Sequence, residues 1–178
     1  MTAAATTAAP ARRSRGRTVL AALLSTRTGQ LPTDLALIAA RIALAWIFIY
    51  HGGRRLFGWF GGIGLDKSAT YFANVAHLHP GTFWALVSGI IELGGGIALA
   101  FGFASRLAGA AIFGDMMGAI ITVTAANGFN YSVPGGGVEV NLAFGILAFV
   151  VAMFGAGRFS VDALLERRLF PEGVRSTA

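Results

Sequence analysis

Residues 82–103 read TFWALVSGIIELGGGIALAFGF, an apolar run with one ionisable side chain, Glu92. A helix rises about 1.5 Å per residue, so about 20 apolar residues cross the hydrocarbon core of a bilayer. The run therefore predicts a transmembrane helix with Glu92 near its middle. A carboxylate at that depth normally faces other helices, a cavity or a partner, which makes Glu92 the first candidate functional residue.

The composition of the whole chain is also typical of a membrane protein. Its 178 residues are 55% hydrophobic and 12% charged, whereas soluble domains carry about 25% charged residues. The 25 glycines are about twice the usual share and allow close helix packing. The net charge of +6 comes largely from arginines beside apolar segments, which favours membrane topology over nucleic-acid binding. The sequence has no cysteine, which excludes a thiolate nucleophile and a Cys-ligated cluster.

The pattern of apolar segments predicts an all-α fold. Four apolar segments are expected to be transmembrane helices, at residues 35–50, 82–103, 107–126 and 138–154. The first is short for a full crossing and is expected to continue into residues 51–62. Short links between them predict an integral membrane four-helix bundle over residues 32–162. Residues 63–81 are interpreted as a polar connection. Residues 1–31 are predicted to be a disordered basic tail, and residues 163–178 a second basic tail.

The distribution of basic residues predicts the orientation. Ten of them lie in the two tails and in the turn after the second apolar segment, while the opposite side has Arg54, Arg55 and Lys67. Both termini are therefore predicted to be cytoplasmic. Arg54 and Arg55 run against this charge bias and need a separate explanation.

Helical spacing predicts a group of charges inside the bundle. The residues three and four positions away from Glu92 and Asp115 are mostly small, as is typical of helix–helix contacts in membranes. Arg41 is the ionisable residue within the first apolar segment, and its long side chain could reach toward mid-bilayer. The sequence thus predicts an intramembrane charge cluster of Arg41, Glu92 and Asp115. It leaves two interpretations open, a proton relay or a structural ion pair that sets helix register.

A second polar set is expected at the non-cytoplasmic mouth of the bundle. Its members are His51, Arg54, Arg55, Asn127, Tyr131, Glu139 and Asn141. Such donors beside aromatic rings and lipid would suit a quinone headgroup, but an ordinary interfacial anchor has the same composition. No catalytic residue is assigned. No metal site is predicted, because His77 and His79 are two positions apart and do not share a helix face.

Five features follow one another along the chain. They are an arginine-bearing first segment, HGGRRLFGWFGG at 51–62, GIIELGGGIALAFG at 89–102 followed by Arg106, NGFNYSVPGGGVEVNL at 127–142 and GAGRFSVD at 155–162. In this order they resemble the DoxX family of small bacterial membrane proteins, over about residues 34–162. Arg55 stands where similar proteins often have lysine, which keeps the charge but changes the hydrogen-bonding geometry.

The resemblance implies a multi-pass, four-helix protein of the bacterial inner membrane. Some DoxX-like proteins are similar to subunits of a terminal quinol oxidase or of thiosulfate:quinone oxidoreductase. Others are linked to oxidative-stress complexes with soluble sulfurtransferase or superoxide dismutase partners, and distant relatives look like assembly factors. The family is therefore better defined as a fold than as an activity.

The sequence supports two candidate functions. The first is a membrane-embedded subunit of a quinone-linked oxidoreductase or oxidative-stress complex, with quinone as the candidate cofactor and a soluble oxidoreductase or sulfurtransferase-type partner. The lack of cysteine argues against catalysis by this chain alone. The alternative is a non-enzymatic scaffold or assembly factor, and a homo-oligomer is compatible with either. A solute carrier is disfavoured, because the sequence shows no internal repeat.

Overall fold

The fold is taken from a computed structural model that describes residues 31–170. Within this range the chain is helical and has no strand. Its α helices are α1 (Leu31–Phe57), α2 (Gly64–Asn74), α3 (Gly81–Phe101), α4 (Ser105–Thr122), α5 (Val138–Phe154) and α6 (Val161–Leu169). The prediction of an all-α fold is confirmed. The tails predicted at either end fall largely on residues 1–30 and 171–178, which lie outside the described residues.

Two of the helices were not predicted. Helix α2 lies within the stretch interpreted as a polar connection, and α6 lies mostly within the predicted basic tail. Both are short and carry several polar residues, so they lack the long apolar pattern that identified the other helices. Helix α6 does have a local start signal, since the Ser160 hydroxyl accepts a hydrogen bond from the Ala163 amide at 3.1 Å and thereby caps the helix.

Two helices are long and apolar enough to cross a membrane. They are α1, with 27 residues, and α3, with 21 residues. Helix α5 is apolar but shorter, with 17 residues. Large apolar side chains on these helices point away from the protein, including Trp46 on α1, which is 78% exposed, and Ile90 on α3, which is 60% exposed. An apolar outer surface of this kind is expected where lipid covers a helix.

Helices α1, α3, α4 and α5 share one apolar core. Helix α1 packs along α3, α3 packs on α4, α4 packs on α5, and α5 also contacts α1. The core contains the fully buried side chains of Leu44, Phe48, Leu99, Ile112 and Val151. Helix α2 lies outside this group and packs against α1 and α3.

Glycine sets the register between α1 and α3. A Cβ atom added at Gly52 would overlap the backbone nitrogen of Leu93, and one at Gly96 would lie 2.9 Å from the backbone nitrogen of Ile49. The two backbones can approach this closely because the glycines have no side chain. The antiparallel register therefore places the Gly52 end of α1 beside the middle of α3.

Substituting Gly52 by alanine tests this register. We expect the variant to lose about 1–3 kcal/mol of unfolding free energy, because the added methyl group overlaps the backbone of α3. Thermal unfolding in detergent, followed by circular dichroism, measures the change. The matched control is Gly94→Ala, at an exposed position of α3 where an added Cβ meets no atom within 4 Å. Equal melting temperatures for the two variants would contradict the close contact.

A network of polar contacts joins the helices at one end of the protein, here called the basal end and defined by Asp34, Arg41, Gly102 and Asp162. Asp34 accepts hydrogen bonds from the backbone and the side chain of Arg158. The Asp162 carboxylate accepts from the backbone amides of Ala104 and Ser105, at 2.7 and 2.9 Å. The first pair of contacts holds the chain between α5 and α6 against the start of α1, and the second holds the start of α6 against the start of α4.

The turn between α3 and α4 requires glycine at the basal end. Gly102 has a φ of 66°, and the amide of Phe103 donates to the Ala98 carbonyl at 2.9 Å, the pattern of a Schellman C-cap. A Cβ at Gly102 would also lie 2.7 Å from Nη2 of Arg41. Glycine therefore both ends α3 and leaves room for the Arg41 guanidinium.

Candidate functional site

A cavity of about 500 Å³ lies among the helices, away from the basal end. Residues of α1, α2, α3, α4 and α5 contribute to its wall, which is mostly apolar and aromatic. The polar side chains in the wall are His51, Arg55, Tyr71, Trp84, Ser88, Glu92, Asp115, Thr122, Thr124 and Asn141. The cavity thus combines a large apolar surface with a small polar group, as ligand sites commonly do.

The strongest polar contact in the cavity is the ion pair of Arg55 and Glu92. Nε of Arg55 donates to Oε2 of Glu92, and Nη2 donates to Oε1, both at 2.9 Å. The two parallel bonds have the fork geometry that arginine forms with carboxylates. The Glu92 side chain is only 4% exposed and the Arg55 side chain 23%. The Phe72 ring of α2 lies 5.1 Å from the Arg55 guanidinium carbon, a cation–π contact that further positions the arginine.

Asp115 lines the same cavity from α4. It is half-buried, its carboxyl group is hydrogen-bonded to the Ser88 side chain, and it interacts electrostatically with Glu92 and Arg55. One arginine is therefore shared between two carboxyl groups. The formal charge of the three groups is zero when one carboxyl is protonated and −1 when neither is. Protonation of one carboxyl group would therefore remove the net charge of the three groups.

Arg41 is not a member of this cluster. It is buried at the basal end, where it donates to the backbone carbonyls of Leu99 at 3.1 Å, Ala156 at 2.5 Å and Phe159 at 3.2 Å. The predicted grouping of Arg41 with the two acids is wrong in the structure. The helix register explains the difference, because Arg41 lies eleven residues, or ~16 Å of helix, from Gly52, which packs beside Leu93. Arg55 occupies the position beside Glu92 that was predicted for Arg41.

Three members of the predicted outer polar set line the cavity. They are His51, Arg55 and Asn141. His51 is exposed and lies next to Tyr50, with ring centroids 5.5 Å apart. The Asn141 amide donates to the Thr124 hydroxyl at 3.2 Å. The outer polar set and the charge cluster were predicted as separate sites. In the structure, these three members of the outer set and the two acids of the charge cluster line the same cavity.

The other four members of the outer set lie elsewhere. Arg54 donates to the Tyr50 hydroxyl at 3.1 Å and to the Phe60 carbonyl at 2.7 Å. Asn127 donates to the Gly136 carbonyl within its own loop, at 2.9 Å. Tyr131 is 60% exposed in that loop, and Glu139 lies in the first turn of α5. None of the four is part of the cavity wall.

The sequence model of the DoxX family matches residues 36–125, just over half of the chain. The chain belongs to the DoxX family. The matched residues of this DoxX protein include Arg55, Glu92 and Asp115, whereas the features at 127–142 and 155–162 lie beyond the match. Together with the apolar helices α1 and α3, the family match identifies a membrane protein. Searches among curated proteins and among solved structures found no match.

Sequence reasoning missed part of the cavity wall of this DoxX protein. Ser88 lies four residues before Glu92 on α3, and helical spacing places it on the Glu92 face, but it is not among the predicted site residues. Phe72 and Tyr71 come from α2, and Thr124 from a short 3-10 turn at Thr124–Asn127. These contributions depend on how separate elements meet, so helical spacing within one segment does not reveal them.

The cavity of the DoxX protein reaches the outer surface along α4. Ala110 and Gly114 line it and are also exposed. A Cβ added at Gly114 or Gly118 would meet no atom within 4 Å, although both residues are in the wall. Small residues on this face of α4 therefore leave open space beside the helix.

The chemistry available in the cavity is hydrogen bonding and proton exchange. Arg55 uses Nε and Nη2 for Glu92, so Nη1 remains for a ligand acceptor. Asp115 and His51 can accept or donate a proton. Among residues 31–170 there is no group of three His, Asp or Glu side chains that could hold a metal ion. The residues present suit a ligand with polar oxygens on an apolar body.

Proposed function

We propose that α1, α3, α4 and α5 cross the bacterial inner membrane as a four-helix bundle with both termini in the cytoplasm. Support comes from the length and apolar character of α1 and α3, from the shared core of the four helices and from the excess of basic residues toward the two ends of the chain. The basal end then faces the cytoplasm, and the cavity lies toward the opposite side.

We further propose that the cavity binds the headgroup of a membrane quinone, and that the chain is a membrane subunit of a quinone-linked oxidoreductase or oxidative-stress complex. The observation that carries this proposal is the position of the Arg55–Glu92 pair and Asp115 in the wall of an apolar cavity that reaches the surface along α4. A quinone has two carbonyl oxygens on an apolar ring and reaches its sites from the lipid phase.

The proposed roles follow from the free groups of each side chain. Nη1 of Arg55 and the His51 ring can donate to quinone oxygens, while Trp84 and Tyr71 offer aromatic surface to the ring. Asp115 is placed to take or supply a proton beside Arg55. A bound quinone would supply the redox chemistry. Since the sequence has no cysteine, we propose that a partner subunit exchanges electrons with it.

Filling the cavity tests the proposal. The leucine of Gly118→Leu would project into the cavity without displacing an atom near its Cβ. We expect quinone that co-purifies with the protein in mild detergent to fall at least about tenfold, as measured by mass spectrometry. Such a loss corresponds to about 1.4 kcal/mol of binding free energy.

The matched control is Gly94→Leu, on the exposed face of α3 and outside the cavity wall. This variant is expected to retain quinone at the wild-type level. Equal retention by both variants would contradict binding in the cavity. Wild-type protein that carries no quinone but a stoichiometric soluble protein would instead favour the scaffold function.

A further inference from the structure

The basal end has a second recess, separate from the proposed quinone cavity. It is a shallow groove of about 510 Å³ between the end of α3, the loop at 155–160 and α6. Its main lining residues are Phe101, Arg158, Phe159, Leu164 and Arg167, and we call it the basal groove. We propose that the basal groove binds one anionic phospholipid, with the phosphate on the arginines and the upper acyl chains on the apolar residues.

The apolar side chains of the basal groove are uncovered. Phe101 is 67% exposed, Phe159 is 57% exposed and Leu164 is 59% exposed. Phe101 is the last residue of α3, a helix long enough to cross a bilayer, so its ring lies where such a helix leaves the hydrocarbon core. Large apolar groups at this depth are expected to contact lipid chains near the headgroup.

The charge of the basal groove complements one phosphodiester. Arg158 pairs with Asp34 through Nε, yet its side chain remains 36% exposed, which leaves its other guanidinium nitrogens for a ligand. Arg167 has no ion pair with any acid among residues 31–170. Together with Asp34, the two arginines have a net charge of +1, and guanidinium groups match the geometry of phosphate oxygens.

The basal groove is also held in place by buried contacts. Asp162, at the start of α6, binds the amides of Ala104 and Ser105, and its own amide donates to the Gly102 carbonyl at 2.9 Å. Ser160 caps α6. A ligand would therefore not have to order α6 and the end of α3 relative to each other, and preorganisation of this kind favours binding. Lipid binding in the basal groove rests on the proposed insertion in a membrane and does not depend on quinone binding.

Lipid titration of the full-length, delipidated protein tests the proposal. Native mass spectrometry would compare phosphatidylglycerol with phosphatidylcholine of the same acyl chains. We expect one phosphatidylglycerol to bind with higher affinity than phosphatidylcholine, and Arg167→Gln to lower that affinity about tenfold. Arg167→Lys, which keeps the charge, should retain more of it.

The matched control is Arg168→Gln, which removes the same charge from the neighbouring exposed residue outside the groove. It is expected to change the affinity less than about twofold. Equal losses in the two glutamine variants would show general attraction to anionic lipid and would overturn the proposal. Equal binding of the two lipids by wild-type protein would also overturn it, since the groove would then be apolar only or covered by a terminal tail.

Discussion

Replacing Arg55 by glutamine is expected to lower the free energy of unfolding by about 3–5 kcal/mol, the range observed when one partner of a buried ion pair is removed. The Glu92 side chain is 4% exposed, and both of its oxygens accept hydrogen bonds from Arg55. Without the guanidinium, the carboxyl group stays buried and loses its charged partner. Denaturation in mixed micelles, followed by circular dichroism, would measure the effect.

The reciprocal substitution, Glu92→Gln, is expected to cost less. Arg55 is 23% exposed, and it would keep its contact with Phe72 and the nearby Asp115. The double variant, Arg55→Gln with Glu92→Gln, should be more stable than the sum of the single losses predicts, because residues in direct contact do not behave additively. Additive losses would contradict the ion pair.

Arg54→Gln is the matched control for the first prediction. Arg54 precedes Arg55 on α1, but its contacts with Tyr50 and Phe60 are exposed. We expect this variant to lose less than about 1 kcal/mol, as for other exposed polar contacts. A loss as large as that of Arg55→Gln would mean that the region depends on its general charge rather than on the buried pair.

Replacing Arg41 by methionine is expected to give the second large loss, about 3 kcal/mol or more. Arg41 is 3% exposed and donates to three backbone carbonyls, two of them in the loop between α5 and α6. Methionine fills similar space but donates no hydrogen bond, and each buried polar group without a partner costs about 1–3 kcal/mol. The melting temperature in detergent would measure the loss.

A second measurement separates a structural role of Arg41 from a role in the cavity. Arg41→Lys keeps the charge and some donors, so it should fold better than Arg41→Met. Because Arg41 lies at the basal end, the lysine variant should retain co-purified quinone at the level of the wild-type protein. Loss of quinone without loss of stability would show that Arg41 acts on the cavity after all.

Arg41 and Arg55 lie on the same helix, α1, and the sequence pattern assigned the wrong one of them to Glu92. The sequence pattern favours Arg41 as the partner of Glu92, because Arg41 lies within an apolar segment, whereas Arg55 lies beyond the end of that segment. In the structure α1 continues to Phe57. Arg55 therefore remains on a helix and reaches Glu92. This contact also explains why a basic residue lies on the predicted non-cytoplasmic side, where few basic residues are expected.

The inward direction of the acids was easier to predict. The small residues around Glu92 correctly predicted that its side chain is buried against other helices. Asp115 lines the cavity, where the small residues near it on α4 border open space. Helix periodicity determines which residues share a face. It does not determine how far one helix slides along another, so the partner of each acid could not be read from spacing.

The sequence by itself determined the all-α class, the apolar helices and the family, because length, hydrophobicity and local motifs act within single segments of the chain. Only the tertiary structure decided that Arg55 pairs with Glu92, that Arg41 serves the basal end, and that α2 contributes to the cavity wall. These outcomes depend on the register of α1 against α3, which follows from glycine contacts such as Gly52 on Leu93. Such contacts join residues that are far apart in the chain, and local patterns carry no information about their alignment.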